Sequence, residues 1–202
     1  MHALIVVAHP DSDSLTHAVA AQVAHGAADG SPPGLHTTEI ADLAAEGFDP
    51  RFTGADLALH LTQAPPPADV AAEHARLAKA DALVLVYPVY WWSFPALLKG
   101  WIDRVFTQGF AYEEGADGKL AKKLGHLQVH LLGLGGADAG TYERHGYLSA
   151  MKTQIDHGIF GYCGARVASA QLLLQSSTQD AVASHLEAAR TVGRSLLAPS
   201  PP

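Results

Sequence analysis

The sequence predicts an α/β domain built on a doubly wound, five-stranded parallel sheet. Short apolar runs alternate with longer amphipathic stretches along the 202 residues, which is the pattern of successive βαβ units. The run 82–86, Ala-Leu-Val-Leu-Val, is apolar without interruption, as expected of a strand buried on both faces. With 48% hydrophobic and 16% charged residues, the chain can bury a core of its own. We therefore expect one domain over residues 1–198, followed by a short Pro/Ser tail at 199–202.

Five strands and five helices follow from the hydrophobic periodicity. The strands are predicted at 3–7, 36–40, 83–86, 127–132 and 167–174. The helices are predicted at 14–28, at 68–80, from Pro95 onward, at 148–162 and at 180–197. The segment 47–67, which ends in three consecutive prolines, is predicted to be a loop, and a turn is predicted at Gly115 and Gly118. Five strands alternating with helices favour the flavodoxin-like strand order 2-1-3-4-5, with helices on both faces of the sheet.

The helix after the third strand has a clear apolar face. Leucines, Trp101 and Val105 recur at helical spacing, so we expect them to pack on the sheet, whereas Lys99, Asp103 and Arg104 are predicted to face solvent. Pro95 suits the first helical position because its missing N–H would be unpaired there in any case. Ser93 is the predicted cap of this helix.

Composition and charge exclude several classes of function. The net charge of -7 and the lack of a basic run argue against binding nucleic acid or an anionic membrane. Pro88 and Pro95 interrupt the uncharged stretch 82–98, so no membrane-spanning helix is expected. Neither an HExxH motif nor paired cysteines accompany the histidines, so no metal site is expected. The single cysteine, Cys163, allows no intrachain disulfide, and the cytoplasm is the expected location.

The first loop after a strand is predicted to bind an anion. His9, Ser14 and Thr16 surround the start of the first helix, where hydroxyls, free backbone N–H groups and the helix dipole favour a phosphate. The alternative is that a serine of this loop merely caps the helix. No Lys or Arg precedes Arg51, so only His9 is expected to supply positive charge locally.

The aromatic run Tyr87 to Trp92 follows the third strand directly. Trp101 and Phe106, further along, have the spacing of core residues on a helix. The residues before Ser93 fall in a turn, where burial against the sheet cannot account for all of them. A flat ligand stacked at the strand end would account for them.

A glycine-rich segment, 133–147, follows the fourth strand. Gly135 and Gly136 would let the backbone approach a ligand closely, and Tyr142 and His145 follow within reach of the same edge of the sheet. The alternative is an ordinary glycine turn followed by polar surface residues.

Together these segments resemble the NAD(P)H:quinone oxidoreductases of the flavodoxin-like superfamily, which include modulator-of-drug-activity proteins and potassium-efflux ancillary flavoproteins. The resemblance extends over nearly the whole chain. Its most specific part is the pattern P-x-x-W-aromatic-x-x-P-A-x-L-K-G-W-aliphatic-[DE]-R-V-F, matched at 88–106. The amino-terminal AHPxxxS and the later Gly-Gly-then-Tyr segment match more loosely.

The resemblance implies a flavin laid across the three loops, expected to be FAD, with FMN as the close alternative. The residues it places at the flavin are His9, Ser14, Leu15, Thr16, Pro88, Val89, Tyr90, Trp91, Trp92, Gly135 and Gly136. It implies catalytic roles for Tyr142 and His145. Tyr142 lies one place later than the tyrosine of mammalian quinone reductases, and His145 does not have the spacing of their histidine.

The implied activity is hydride transfer in ping-pong order, from NAD(P)H through flavin N5 to a quinone or similar flat aromatic acceptor. The family places the catalytic slot at a homodimer interface, for which Tyr90 and Trp92 are the candidates. Two alternatives remain open at this point. One is a flavin-binding regulatory subunit of a membrane transporter, and the other is a flavin-free protein that binds phosphate at the His9 loop.

Overall fold

The computed structural model describes residues 1–29, 36–62, 64–115 and 117–196, and its main feature is a parallel sheet in the order β2-β1-β3-β6-β7. The strands are β1 (His2–Val7), β2 (Thr37–Asp42), β3 (Ala82–Pro88), β4 (Tyr112–Glu114), β5 (Leu120–Lys122), β6 (Gln128–Gly135) and β7 (Arg166–Leu174). Counting only the strands of this sheet, the order is 2-1-3-4-5. The predicted fold class is therefore confirmed.

Seven α-helices and one π-helix connect these strands within the described residues. They are α1 (Leu15–Asp29), α2 (Gly54–Thr62), α3 (Ala68–Leu77), α4 (Ala96–Val105), α5 (Ala139–Arg144), α6 (Tyr147–Met151), the π-helix Lys152–Gly161 and α7 (Gln179–Ser195). The predicted tail 199–202 and the predicted last helical residue, 197, lie outside the described residues. None of the helices in the described part of the chain has the length and apolarity needed to cross a membrane.

The sheet is covered on both faces, as the uninterrupted apolar pattern of β3 predicts. Val84 and Val86 belong to a core shared with α1 and α7. Leu83 and Leu85 belong to the opposite core, which includes the fully buried Trp101 of α4. Adjacent residues of a strand point to opposite faces of the sheet, so alternate residues of β3 pack against the helices on opposite faces.

The two helices of the first face pack backbone to backbone. A Cβ added at Gly26 of α1 would overlap the carbonyl oxygen of Arg190, and one added at Gly193 of α7 would overlap that of Val23. Only glycine permits this approach. The close contact fixes α1, and with it the loop that precedes α1.

The structure corrects the prediction that 47–67 is a loop, because α2 lies within it. It also corrects the orientation of Arg104, which is 3% exposed instead of facing solvent. Its guanidinium bonds the carboxylate of Asp56, at 3.0 Å, and that of Asp69, at 2.5 Å. Helical periodicity could not show this, because Asp56 belongs to α2, which packs over α4 from a distant part of the sequence.

Two details of helix ends and form also differ from the prediction. Pro95 is the residue before α4 and not its first residue, and Ser93 does not cap the helix. The Ser93 hydroxyl donates instead to the Gln154 side chain at 2.6 Å. The helix predicted at 148–162 begins at Tyr147 and is π-helical from Lys152 to Gly161. A periodicity argument does not distinguish the two helical forms over so short a segment.

The region between α4 and β6 contains a hairpin that the sequence did not predict. The predicted turn is present, since Gly118 N–H donates to Gly115 O at 2.9 Å. The short antiparallel strands β4 and β5 flank it.

Candidate active site

The three segments singled out in the sequence meet at one edge of the sheet. Strands β1, β3 and β6 are neighbours, so the loops that follow them are adjacent at the carboxyl edge. Ala8 N–H donates to Val86 O at 3.2 Å, and Val89 N–H donates to Leu134 O at 2.8 Å, which joins the loops through their backbones. Two interstrand spacings of ~4.8 Å make this edge roughly 10 Å wide, enough for a flat polycyclic ring.

A strained turn at Trp91 and Trp92 forms the centre of this edge. Tyr90 and Ser93 exchange backbone hydrogen bonds of 3.2 and 3.0 Å across it. Both tryptophans have positive φ angles, 49° and 60°. This is the pattern of a type I′ turn, which normally takes Asn-Gly, and left-handed backbone costs an ordinary residue about 1–2 kcal/mol.

The turn also leaves two backbone donors available for binding. No hydrogen bond within the described residues uses the backbone N–H of Trp91 or Trp92, so both donors are free for a ligand. Strained backbone of this kind is found where a site is preformed.

Aromatic side chains cluster at this turn. Trp92 stacks on Tyr147 with 3.7 Å between ring centroids and an interplanar angle of 12°, and it meets Tyr142 edge-on at 5.2 Å. His145 stacks on Tyr147 at 5.2 Å. Trp91 is 92% exposed, which is exceptional for a tryptophan. Tyr147 was not among the predicted site residues, although it ends the glycine-rich segment that was singled out.

A small cleft of about 130 Å³ lies beside the turn. It is lined by Val89, Trp91, Trp92, Gly136, Ala137 and Tyr142. An added Cβ at Gly136 would meet no atom within 4 Å, so this backbone faces open space. His145 does not line the cleft; it is exposed at the rim, on the outer part of the aromatic cluster.

Gly135 positions the hydroxyl of Tyr142. A Cβ at Gly135 would lie 2.6 Å from that hydroxyl and 2.6 Å from Leu174 Cδ2, so a larger residue there would have to displace the phenol and the leucine side chain. Tyr142 is 3% exposed, and burial raises the pKa of its hydroxyl. The hydroxyl is therefore protonated at neutral pH and can donate a hydrogen bond.

The first loop presents several polar groups at the start of α1. His9 Nδ1 accepts from Asp11 N–H at 3.1 Å, which leaves Nε2–H as an outward donor. Ser14 caps α1, because its Oγ accepts from His17 N–H at 3.4 Å. Thr16 is 3% exposed, and no described residue pairs with its hydroxyl. Leu15, the first residue of α1, packs its side chain on the α1 and α7 core.

One expectation about this loop was incomplete. His9 is not the sole histidine near the helix start, since His17 lies edge-on to it with ring centroids 6.3 Å apart. His17 bonds both Ser14 and Asp42, at 2.9 and 2.8 Å.

The predicted residues therefore fall into three positions. The cleft is lined by Val89, Trp91, Trp92, Gly136 and Tyr142, and the adjoining backbone contains Pro88, Tyr90 and Gly135. The start of α1 contains or adjoins His9, Ser14, Leu15 and Thr16. His145 lies at the rim. Within the described residues no group of three potential ligands could hold a metal ion.

The architecture and the three-loop edge define a flavodoxin-like protein. Residues 1–194 match the family described as having the flavodoxin-like fold, and the chain belongs to that family. Within it the chain belongs with the NAD(P)H:quinone oxidoreductases, so it is an oxidoreductase enzyme.

Three comparisons support this assignment. An uncharacterized NAD(P)H oxidoreductase from Haemophilus influenzae is 31% identical over 165 residues, covering 81% of this chain and 79% of that one. The NAD(P)H:quinone oxidoreductase from Methanothermobacter marburgensis superposes with a TM-score of 0.87 at 28% identity, covering 97% and 98% of the two chains. General stress protein 14 from Treponema denticola, solved in complex with FMN, has a TM-score of 0.64 at 25% identity, covering 95% of each chain.

The residues present fit a flavin. The free N–H donors of the Trp91–Trp92 turn and the open space over Gly136 suit the polar rim of a flat ring. The unpaired Thr16 hydroxyl suits a phosphate or a sugar hydroxyl at the start of α1.

Proposed function

We propose that this protein is a flavin-dependent NAD(P)H oxidoreductase that reduces quinones or similarly flat aromatic acceptors. The observation that supports it most directly is the Trp91–Trp92 turn, with two unused N–H donors beside Gly136 and Tyr142. The relatives' activities point to the same chemistry. A flavin bound here would supply hydride transfer at N5, from NAD(P)H to the acceptor in ping-pong order.

The protein's contribution is binding, orientation and hydrogen bonding. The N–H groups of Trp91, Trp92 and Gly136 would donate to the polar rim of the ring, where negative charge develops on reduction. The protonated hydroxyl of Tyr142 would donate to a carbonyl oxygen of the cofactor or acceptor. His145 would act only at the rim, where it supports Tyr147 by stacking.

At the other end of the cofactor, the start of α1 would hold the phosphate. Leu15 N–H and Thr16 N–H belong to the first helical turn, where backbone donors lack partners within the helix. The Ser14 and Thr16 hydroxyls and His9 Nε2–H would complete the set of donors.

We propose FMN as the resident flavin, in place of the FAD that the sequence favoured. The complex of the Treponema denticola relative with FMN supports this choice. Comparing the rates with NADPH and with NADH distinguishes the reductant, and a cytoplasmic location stays a prediction.

We also propose that the active unit is a homodimer. Of the two interface candidates, Tyr90 is 50% exposed, whereas Trp92 is partly buried against Tyr142 and Tyr147. The neighbouring Trp91 is 92% exposed, and a second copy that covers Tyr90 and Trp91 would remove this apolar surface from water. Light scattering at micromolar concentration should give the mass of a dimer, and a monomer would contradict the proposal.

Purification and reconstitution test the proposed function. The protein should be yellow or become so with FMN, the released flavin should have the mass of FMN, and NADPH or NADH should reduce a benzoquinone catalytically. A colourless protein that binds no flavin would contradict the proposal, whereas a flavoprotein without turnover would favour a regulatory subunit.

A pair of variants tests the role of the turn. Trp91→Ala should leave each protomer folded, because within its own chain the side chain is 92% exposed, but it should weaken the proposed dimer and raise KM for the quinone several-fold. Leu61→Ala, which also removes a large exposed apolar side chain, at 74% exposure, serves as the control and should change neither quantity. Equal KM values for the two variants would exclude Trp91 from the acceptor site.

A further inference from the structure

A hydrogen-bonded chain of three side chains links the end of β2 to the start of α1. Asp42, the last residue of β2, places Oδ2 2.8 Å from His17 Nε2. Its other oxygen, Oδ1, accepts from Ala44 N–H and Ala45 N–H, each at 3.1 Å. The remaining ring nitrogen of His17, Nδ1, lies 2.9 Å from Ser14 Oγ.

The carboxylate fixes the tautomer of His17. Burial by itself raises the pKa of Asp42, but the Ala45 N–H bond and the contact with His17 outweigh it, and the net pKa lies below its usual value. An ionised carboxylate can only accept, so His17 Nε2 must carry a proton. The proton state of Nδ1 is the one variable left in the chain.

That variable decides what Ser14 can offer to a ligand. When Nδ1 is bare, the Ser14 hydroxyl donates to it, and only lone pairs face outward. When Nδ1 is protonated, it donates to Ser14 Oγ, which also accepts from His17 N–H at 3.4 Å. The hydroxyl proton of Ser14 must then point away from the chain, where it can donate to an anion.

Local charge makes the second state useful. Asp11 and Asp13 are exposed in the loop before Ser14 and repel a phosphate, and no Lys or Arg precedes Arg51. Two titratable side chains contact His17: His9 from the loop and Asp42 from β2. Between His17 and α7 the described structure records neither a hydrogen bond nor an ion pair.

We propose that Asp42, His17 and Ser14 form a proton-linked positioning chain for the cofactor phosphate, so that binding a phosphorylated flavin transfers a proton from solvent to His17 Nδ1. This rests on the proposed function, because the ligand is the phosphate of a flavin. Histidine suits the role, because its two ring nitrogens bond Asp42 and Ser14 at the same time. The switch acts on the phosphate end and leaves recognition of the ring unchanged.

Calorimetry of the flavin-free protein tests the proposal directly. The enthalpy of FMN binding at pH 7.5 is measured in buffers of different ionisation enthalpy, which gives the number of protons exchanged. Wild type should take up as much as one proton with FMN and none with riboflavin, which lacks the phosphate. The exposed carboxylates of Asp11 and Asp13 could also raise the second pKa of the bound phosphate and cause proton uptake by the ligand itself, so substitutions are needed to locate the proton.

Substitutions locate the proton. His17→Gln should abolish the uptake and weaken FMN binding roughly tenfold while riboflavin affinity stays unchanged. Asp42→Asn should reduce both the uptake and the FMN affinity. His25→Gln, which changes an exposed histidine of the same helix, is the matched control and should behave as wild type.

The outcomes separate this proposal from the one it rests on. FMN binding by wild type without proton uptake, or with the uptake retained in His17→Gln, overturns the proton-linked chain but leaves the flavoprotein assignment in place. Failure of wild type to bind either FMN or riboflavin overturns the proposed function and this proposal together. Because the wild-type measurement needs no substitution, a variant that fails to fold cannot hide an absence of proton uptake.

Discussion

Replacing Gly135 by alanine should displace the hydroxyl of Tyr142 and destabilise the site. The new Cβ would lie 2.6 Å from Tyr142 Oη and 2.6 Å from Leu174 Cδ2, distances at which atoms must move. Overpacking of this kind costs about 1–3 kcal/mol, and the lower entropy of the unfolded alanine chain offsets about 0.4–1 kcal/mol of it. We expect a net loss of about 1–2 kcal/mol, which for a chain of this length lowers Tm by roughly 2–8 °C.

Urea denaturation of the flavin-free protein measures this loss, with an unchanged m value showing that the folded and unfolded states keep their compactness. The control is Gly136→Ala. Its Cβ would meet no atom within 4 Å, so stability should change by less than about 1 kcal/mol. Flavin affinity should fall in both variants: Gly136→Ala places a methyl group in the cleft, and Gly135→Ala displaces the Tyr142 ring that lines it. If Gly135→Ala proves as stable as Gly136→Ala, the contact between Gly135 and Tyr142 does not constrain the site as argued.

Three further predictions concern the scaffold. Burial lowers the pKa of His130 to about 4. The unfolded chain therefore binds more protons than the folded one between pH ~6.5 and ~4. The free energy of unfolding should keep its full value above this range and fall by up to about 3 kcal/mol on acidification through it. His130→Leu should flatten the urea midpoint across this range, and an unchanged pH dependence would contradict the assignment. Arg104→Met should cost about 3–5 kcal/mol by leaving a buried carboxylate unpaired, and adding Asp56→Asn should recover part of the loss; no recovery would show that the cost is one of packing. Gly193→Ala should lower the thermal midpoint far more than Gly54→Ala, whose Cβ would meet nothing within 4 Å, and similar midpoints would argue against the close packing of α1 on α7.

Local sequence patterns predicted the sheet because its three central strands, β1, β3 and β6, are largely apolar runs. They failed where a side chain finds its partner far along the chain. Arg104 has the spacing of a solvent-facing residue, yet it is buried because Asp56 approaches it from 48 positions earlier. The same limit applies to His17, which is an unremarkable helical residue until Asp42 of the neighbouring strand approaches it.

The site itself was predictable by segment and not by side-chain position. The strand ends showed which loops would be adjacent, since parallel strands share one carboxyl edge. Which rings face a ligand depends on the path of each loop. Tyr147 stacks on Trp92 and His145 lies outside it because the chain turns at Gly146, whose φ is 67°.

The Trp91–Trp92 turn is strained yet held in place by contacts on both of its sides. Two left-handed residues cost about 2–4 kcal/mol. Against this stand the Val89 to Leu134 and Ser93 to Gln154 hydrogen bonds, at about 1 kcal/mol each, and the Trp92–Tyr147 stack, at about 0.5–1.5 kcal/mol. The terms nearly cancel, so the surrounding residues can keep the turn formed before a ligand arrives. The N–H donors are then already oriented, and a flavin that binds them need not reorganise the backbone.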